Sequence, residues 1–187
     1  MHSAKQEWPA TPNWETALIR SRAIEIRAVT NLCQTAVSGN IDQALGSLNL
    51  ENRRVGYWGI AEGDCHVVSI ARDKVLLVSQ HPIPLAEGWC DDGWAALRAD
   101  DASIVFVLEG HDLSDLMSEM GLEADMVGSA SAAVMFMGTR LLVYRTAADT
   151  ARIHVVASHA PFLWEWLSAG EIAEHTTSPL GNGGALP

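Results

Sequence analysis

A chain of 187 residues, 48% hydrophobic and 19% charged, is long enough to bury one good core and has the balance of an ordinary folded domain. Its mean hydropathy is +0.08, and no apolar run approaches the roughly 20 residues that a helix needs to span a bilayer. With 23 acidic residues against 12 basic ones and a formal net charge of −11, the surface repels phosphate backbones, which sets nucleic acid aside and favours protein partners with a basic patch.

Residues 1–21 read as an extended arm, polar and broken by Pro9 and Pro12, yet carrying Trp8 and Trp14. The opening MHSAKQEWPATPNW lacks the charged-then-apolar build of a secretion signal, so a cytoplasmic protein is expected. Ile24-Glu25-Ile26-Arg27-Ala28 alternates apolar and charged, the period of a strand. From Asn40 the period changes: Ile41, Ala44, Leu45 and Leu48 lie on one helical face, with Asn40 as N-cap and Asp42 in the first turn. CHVVSIA (65–71) and KVLLVS (74–79) are strand-like runs separated by Arg72-Asp73, which predicts an antiparallel hairpin. The prolines of Gln80-His81-Pro82-Ile83-Pro84 then end the pattern.

Residues 94–98 and 103–109 predict a second hairpin, turning at Ala99-Asp100-Asp101-Ala102. Leu113, Leu116, Met117 and Met120 form one face of a helix over 112–120, and Gly121 is placed to end it. Residues 132–136 and 139–145 flank Met137-Gly138 as a third hairpin, and ARIHVVA (151–157) is a last strand. The helix that follows, SHAPFLWEWL (158–167), has Ser158 as its expected N-cap and Pro161 in its first turn. Beyond Ser168 the helical signal fades, and residues 169–187 read as a flexible tail. Strands joined by short turns predict an α+β domain over 22–168, an antiparallel sheet built from hairpins with helices packed on one side.

The search for chemistry is mostly negative. Cys65-His66 and Ser158-His159 pair a nucleophile with a base, but neighbours on a strand point to opposite faces and Ser158 is accounted for as a cap. His154 and His159 lack a third ligand at a supporting spacing. Asp91-Asp92 and Asp100-Asp101 have the composition of exposed turns. Neither glycine-rich phosphate motif occurs, since Gly181-Asn182-Gly183-Gly184 has no strand or helix beside it. Cys33, Cys65 and Cys90 are odd in number, widely spaced and without a C-x-x-C pair, as free thiols in a reducing compartment are. No catalytic, cofactor-binding or metal-binding residue is therefore assigned.

Tryptophan is the unusual feature, with seven against two tyrosines and three phenylalanines. On the last helix Phe162, Leu163, Trp166 and Leu167 share an arc that predicts packing onto the sheet, while Trp164 falls off its edge. Trp164, together with Trp8 and Trp14 on the arm, is the candidate partner-contact residue, because tryptophan is enriched where one surface packs on another. The same aromatics would serve self-association of the isolated chain.

The C-terminal half carries a family resemblance. Thr139-Arg140-Leu141-Leu142-Val143-Tyr144-Arg145-Thr146, then Ile153-His154-Val155-Val156-Ala157, then Phe162-Leu163-Trp164-Glu165-Trp166-Leu167 resembles the gamma subunit of heterotetrameric sarcosine oxidase, which closes with a similar hairpin, strand and YLWEWL-like helix. Upstream, Asp73-Lys74-Val75-Leu76-Leu77-Val78 is similar to its D-x-W-L-L-V strand, with Val75 in place of the aromatic. Residues 101–110 resemble its D-x-R-T-x-L-x-L-x-G strand without the arginine and threonine, and residues 112–125 its helix and C-P-L-D-L element. The pattern covers about 22–168.

The resemblance implies a domain like the amino-terminal part of the glycine-cleavage T-protein and YgfZ fold. It also implies a non-catalytic role beside alpha, beta and delta subunits that oxidatively demethylate sarcosine to glycine, pass the methyl carbon to tetrahydrofolate and reduce oxygen. FAD, FMN, NAD, zinc and the folate site are implied for those partners and none for this chain. The alternative is a stand-alone folate-binding protein of the T-protein or YgfZ kind that stacks a pterin on Trp89 or Trp94, although YgfZ's K-G-C-[YF]-x-G-Q-E signature is absent.

Overall fold

The computed structural model describes residues 10–122 and 128–174; Trp8, the glycine run 181–184 and residues 123–125 lie outside them. In chain order the elements are β1 (Leu18–Arg20), β2 (Ile24–Val29), β3 (Cys33–Gly39), α1 (Ile41–Gly46), β4 (Arg54–Val55), β5 (Cys65–Ala71), β6 (Lys74–Ser79), β7 (Gly88–Cys90) and β8 (Trp94–Arg98). There follow β9 (Ser103–Gly110), α2 (Leu113–Glu119), β10 (Ala133–Phe136), β11 (Thr139–Ala147), β12 (Thr150–Val156), a 3-10 turn (Ala157–His159) and α3 (Ala160–Glu174).

The strands form two six-stranded sheets, ordered β1-β2-β9-β12-β11-β10 and β4-β5-β6-β3-β8-β7. Their ladders are antiparallel except that β4 runs parallel to β5. The two sheets face each other across a core that includes Val68, Leu76 and Val78 on one side and Val105, Leu142 and Tyr144 on the other. α2 and α3 cover the outer face of the first sheet through Leu113, Met117, Leu163 and Leu167, packed on Phe106, Leu108 and Ile153. α1 covers the outer face of the second through Ile41, Ala44 and Leu45, packed on Val67, Val75 and Leu77. The expected α+β class is found, but two expected details are corrected. There are two sheets instead of one, and the helices lie on both outer faces instead of one side. Burial on both faces explains why β5 and β6 read as continuous apolar runs and not as alternation.

The β5–β6 hairpin turns at Arg72-Asp73 as expected, with a bulge between Ser69 and Ala71. The β10–β11 hairpin turns at Met137 (φ 46°) and Gly138 (φ 79°), the two left-handed positions of a tight turn that matches strand twist. The expected β8–β9 hairpin does not form. β8 pairs with β3 and β7, and the chain crosses at residues 99–102 so that β9 lies between β2 and β12 in the other sheet. A short turn signal fixes a change of direction, not the sheet that the next strand joins.

Asn40 caps α1 as expected, its side chain accepting the Gln43 N–H. Ser158 does not cap α3, because residues 157–159 already wind as a 3-10 turn into the helix. The helix itself runs on to Glu174, past the expected fade at Ser168. Phe162, placed in the core by the sequence, is 41% exposed. Leu163 and Leu167 are buried at the centre of the packed arc, with Trp166 on one flank and Trp164 on the other. The helix is thus rotated by roughly 50° from the expected setting, counting 100° per residue.

Candidate functional site

Along β12, Ala151, Ile153 and Val155 point into the helix-covered core, so the alternate residues Arg152 and His154 point between the two sheets. Opposite Arg152 in register stands Tyr144 of β11. From the other sheet come His66 of β5 and Gln34 of β3, and the five side chains form one polar group inside an otherwise apolar sandwich. Tyr144 Oη lies 3.1 Å from His154 Nε2, and His154 Nδ1 lies 3.0 Å from Gln34 Oε1. Gln34 Nε2 donates to the carbonyls of Asp100 (3.1 Å) and Ser103 (3.3 Å). An Arg152 guanidinium nitrogen lies 3.2 Å from His66 Nδ1.

Donor and acceptor chemistry fixes the proton positions in this group. Since the Gln34 amide nitrogen is committed to carbonyls, its oxygen accepts from His154 Nδ1–H, and His154 Nε2 accepts from the Tyr144 hydroxyl. Arg152 stands opposite Tyr144 in register. A guanidinium only donates, so His66 Nδ1 accepts and the neutral ring carries its proton on Nε2. Burial, reinforced by the Arg152 charge, lowers the pKa of His66 to about 4 and that of His154 to about 3. Burial raises Tyr144 to about 12. At neutral pH both rings and the phenol are uncharged, and Arg152 supplies the charge of the group.

Arg152 lies in the lining of two clefts. The first, about 590 Å³, is walled by Leu32, Leu48, Leu50, Val78 and Ile83, with Asp64, Cys65, His66, Ser79 and His81 among its polar lining. The second, about 490 Å³, is more polar, with Arg27, Glu109, Thr146 and Thr150. Arg27 and Glu109 are paired with each other at 3.2 Å. Arg152 has no carboxylate within ion-pair distance among the described residues, and its Nε is buried without a hydrogen-bond partner.

The residues singled out from sequence fall elsewhere. Trp14 packs against Phe106 (5.5 Å between ring centroids) and Trp164 (5.9 Å), and Trp164 against Phe106 (5.4 Å). The two tryptophans proposed for a partner thus meet each other first, while Trp8 lies outside the described residues. Trp94 is buried beside α1 and offers no face for a pterin; Trp89 is 72% exposed. Cys65 packs toward the α1 side, where burial raises its thiol pKa, while His66 faces Tyr144 between the sheets, so the two do not face each other.

His154 and His159 do not meet either, since His159 Nδ1 pairs with Thr139 Oγ1 at 3.0 Å. Asp100 accepts the Gln34 backbone N–H at 2.6 Å, and Asp91 and Asp92 are exposed. Among the described residues no three or more His, Cys, Asp or Glu side chains are grouped to hold a metal ion. The sequence reading missed Arg152, Gln34, Tyr144 and the inward side of His154. The available signal was A-R-I-H-V, in which a strand otherwise fit for burial on both faces carries a cation and an imidazole on one of them.

No family model matches the chain, and no curated protein matches its sequence. Among solved structures, a chain of the heterotetrameric sarcosine oxidase from Corynebacterium sp. U-96, determined in complex with pyrrole 2-carboxylate, superposes with a TM-score of 0.64 at 18% identity. The match covers 90% of this chain and 93% of that one. This chain has that fold. The likeness expected from the sequence is therefore found at the level of the fold, over nearly the whole of two chains of similar length.

Proposed function

We propose that this chain is the gamma subunit of a sarcosine-oxidase-like flavoenzyme complex, a non-catalytic member that stabilises its larger partners. The observation that carries the reading is the fold match, which spans about nine-tenths of both chains and involves a component of a heterotetramer. The order of motifs ending in Trp164-Glu165-Trp166 supports it from the sequence. In this reading the complex oxidatively demethylates sarcosine to glycine and passes the methyl carbon to tetrahydrofolate. Alpha, beta and delta partners hold FAD, FMN, NAD and the folate site, and the domain is of the T-protein and YgfZ kind. We place the complex in the cytoplasm; among the described residues no helix is long and apolar enough to cross a membrane.

Co-expression with candidate large subunits tests the reading. The expected result is co-purification with a flavin-bearing partner in fixed stoichiometry. A chain that stays alone through affinity and size-exclusion steps overturns it. A second reading, stand-alone folate binding, retains one observation in its favour, the exposed indole of Trp89. Titration of the isolated chain with tetrahydrofolate separates the two, since quenching lost in Trp89→Ala supports folate binding and an unchanged signal supports the subunit.

A further inference from the structure

Four of the ten arginines are ion-paired at the surface: Arg20 with Glu25, Arg27 with Glu109, Arg54 with Asp42 and Arg98 with Glu87. Arg152, set between two sheets, has instead a neutral side-chain partner, the His66 ring, and its Nε is buried with no hydrogen-bond partner among the described residues. Arg152 is half-buried; a partly desolvated cation without a counter-ion is unfavourable, and an arriving anion converts it into a charge-assisted pair. The planar guanidinium suits a carboxylate, which it can engage through two parallel hydrogen bonds.

We propose that the larger cleft binds a small amphipathic carboxylate, its anionic head on the Arg152 guanidinium and its apolar body against Leu48, Leu50 and Ile83. The walls decide the class of ligand. The cleft that reaches Arg152 from the α1 side combines aliphatic side chains with a few polar groups, and its volume of about 590 Å³ suits a small organic molecule. A bare inorganic anion would leave the apolar wall wet. His66 is held neutral, so it steadies the guanidinium by accepting its hydrogen bond without adding a second charge. Two carboxylates of the chain lie nearby. Asp64 is exposed in the lining of the same cleft, and Glu109, across Arg152 in the second cleft, is taken by Arg27. The proposal does not depend on membership of any complex.

Isothermal titration calorimetry on the full chain at low salt provides the test, with 4-phenylbutyrate as probe and 4-phenylbutyramide and inorganic phosphate as controls. The carboxylate is expected to bind one to one, and the amide roughly tenfold to a hundredfold more weakly, the usual worth of charge-assisted hydrogen bonds. Arg152→Met is expected to abolish carboxylate binding. Since that change also touches the interior, Gln80→Glu supplies a gentler one: Gln80 is exposed and lines both clefts. Its substitution should weaken the carboxylate several-fold, about the effect of one like charge nearby, and leave the amide unaffected. Equal binding of carboxylate and amide overturns the proposal, as does phosphate binding as tightly, undiminished binding by a folded Arg152→Met, or no heat from the carboxylate at millimolar concentration.

Discussion

His154 is wholly enclosed between the sheets, bonded on one nitrogen to Tyr144 and on the other to Gln34, and burial, reinforced by the Arg152 charge, opposes a second ring proton. Its folded pKa of about 3 lies below the ordinary 6.5. The unfolded chain therefore binds the extra proton, so the contribution to stability is complete above pH 6.5 and is lost as the pH falls toward 3. His154→Gln removes this titration while keeping one acceptor for Tyr144 and one donor for Gln34. Urea unfolding between pH 6 and 4.5 should show wild type losing about 1.4 kcal/mol per pH unit more than the variant, the value of one proton. Parallel curves would mean that the ring charges freely in the folded protein. The network was only half legible in the sequence. Alternation along residues 151–155 gives the two faces, but only pairing with β3 and β5, distant in the chain, shows that the polar face is enclosed.

At the scale of elements, local rules predicted what local forces decide. The end of α2 is an example. Gly121, at φ 65°, closes a Schellman turn in which its N–H bonds the Ser118 carbonyl and the Leu122 N–H bonds that of Met117. A Cβ at Gly121 would meet nothing within 4 Å, so Gly121→Ala carries only the left-handed backbone cost, about 1 kcal/mol. Gly110, at the end of β9, also has a positive φ (155°), but a Cβ there would sit 2.0 Å from the carbonyl oxygen of Ala23, the residue just before the strand it pairs with. Gly110→Ala must push β2 away from β9 and should cost well over about 3 kcal/mol, beyond ordinary single substitutions. Chemical denaturation of the two variants checks the contrast, and similar losses would refute the steric account. Neither the clash at Gly110 nor the crossing of β9 into the first sheet could be read locally. Both depend on which strands become neighbours, a matter of long-range packing. The rotation of α3 has the same origin: the arc that packs is set by Phe106 beneath it and Trp14 beside it, and both lie far away in sequence.

At the scale of the whole molecule, the beginning and the end of the described chain close over the same strand. Trp14 precedes β1, Trp164 belongs to the last helix, and both rings lie against Phe106 of β9. Such tilted and edge-on pairs add about 0.5–1.5 kcal/mol beyond the area they bury. The arm is thus tied to the domain at Trp14, and the two tryptophans first seen as partner contacts have a role within the chain. A double-mutant cycle separates that role from docking. Trp14→Ala and Trp164→Ala should each destabilise the isolated chain by roughly 2–4 kcal/mol, as large-to-small changes at packed aromatics do. The double variant should lose less than the sum by about 0.5–1.5 kcal/mol, because the second substitution has no ring left to lose. Additive losses would show that the rings act independently. Should the isolated chain keep its full stability while recovery with flavin-bearing subunits falls, the indoles serve the partner and their mutual contact is incidental.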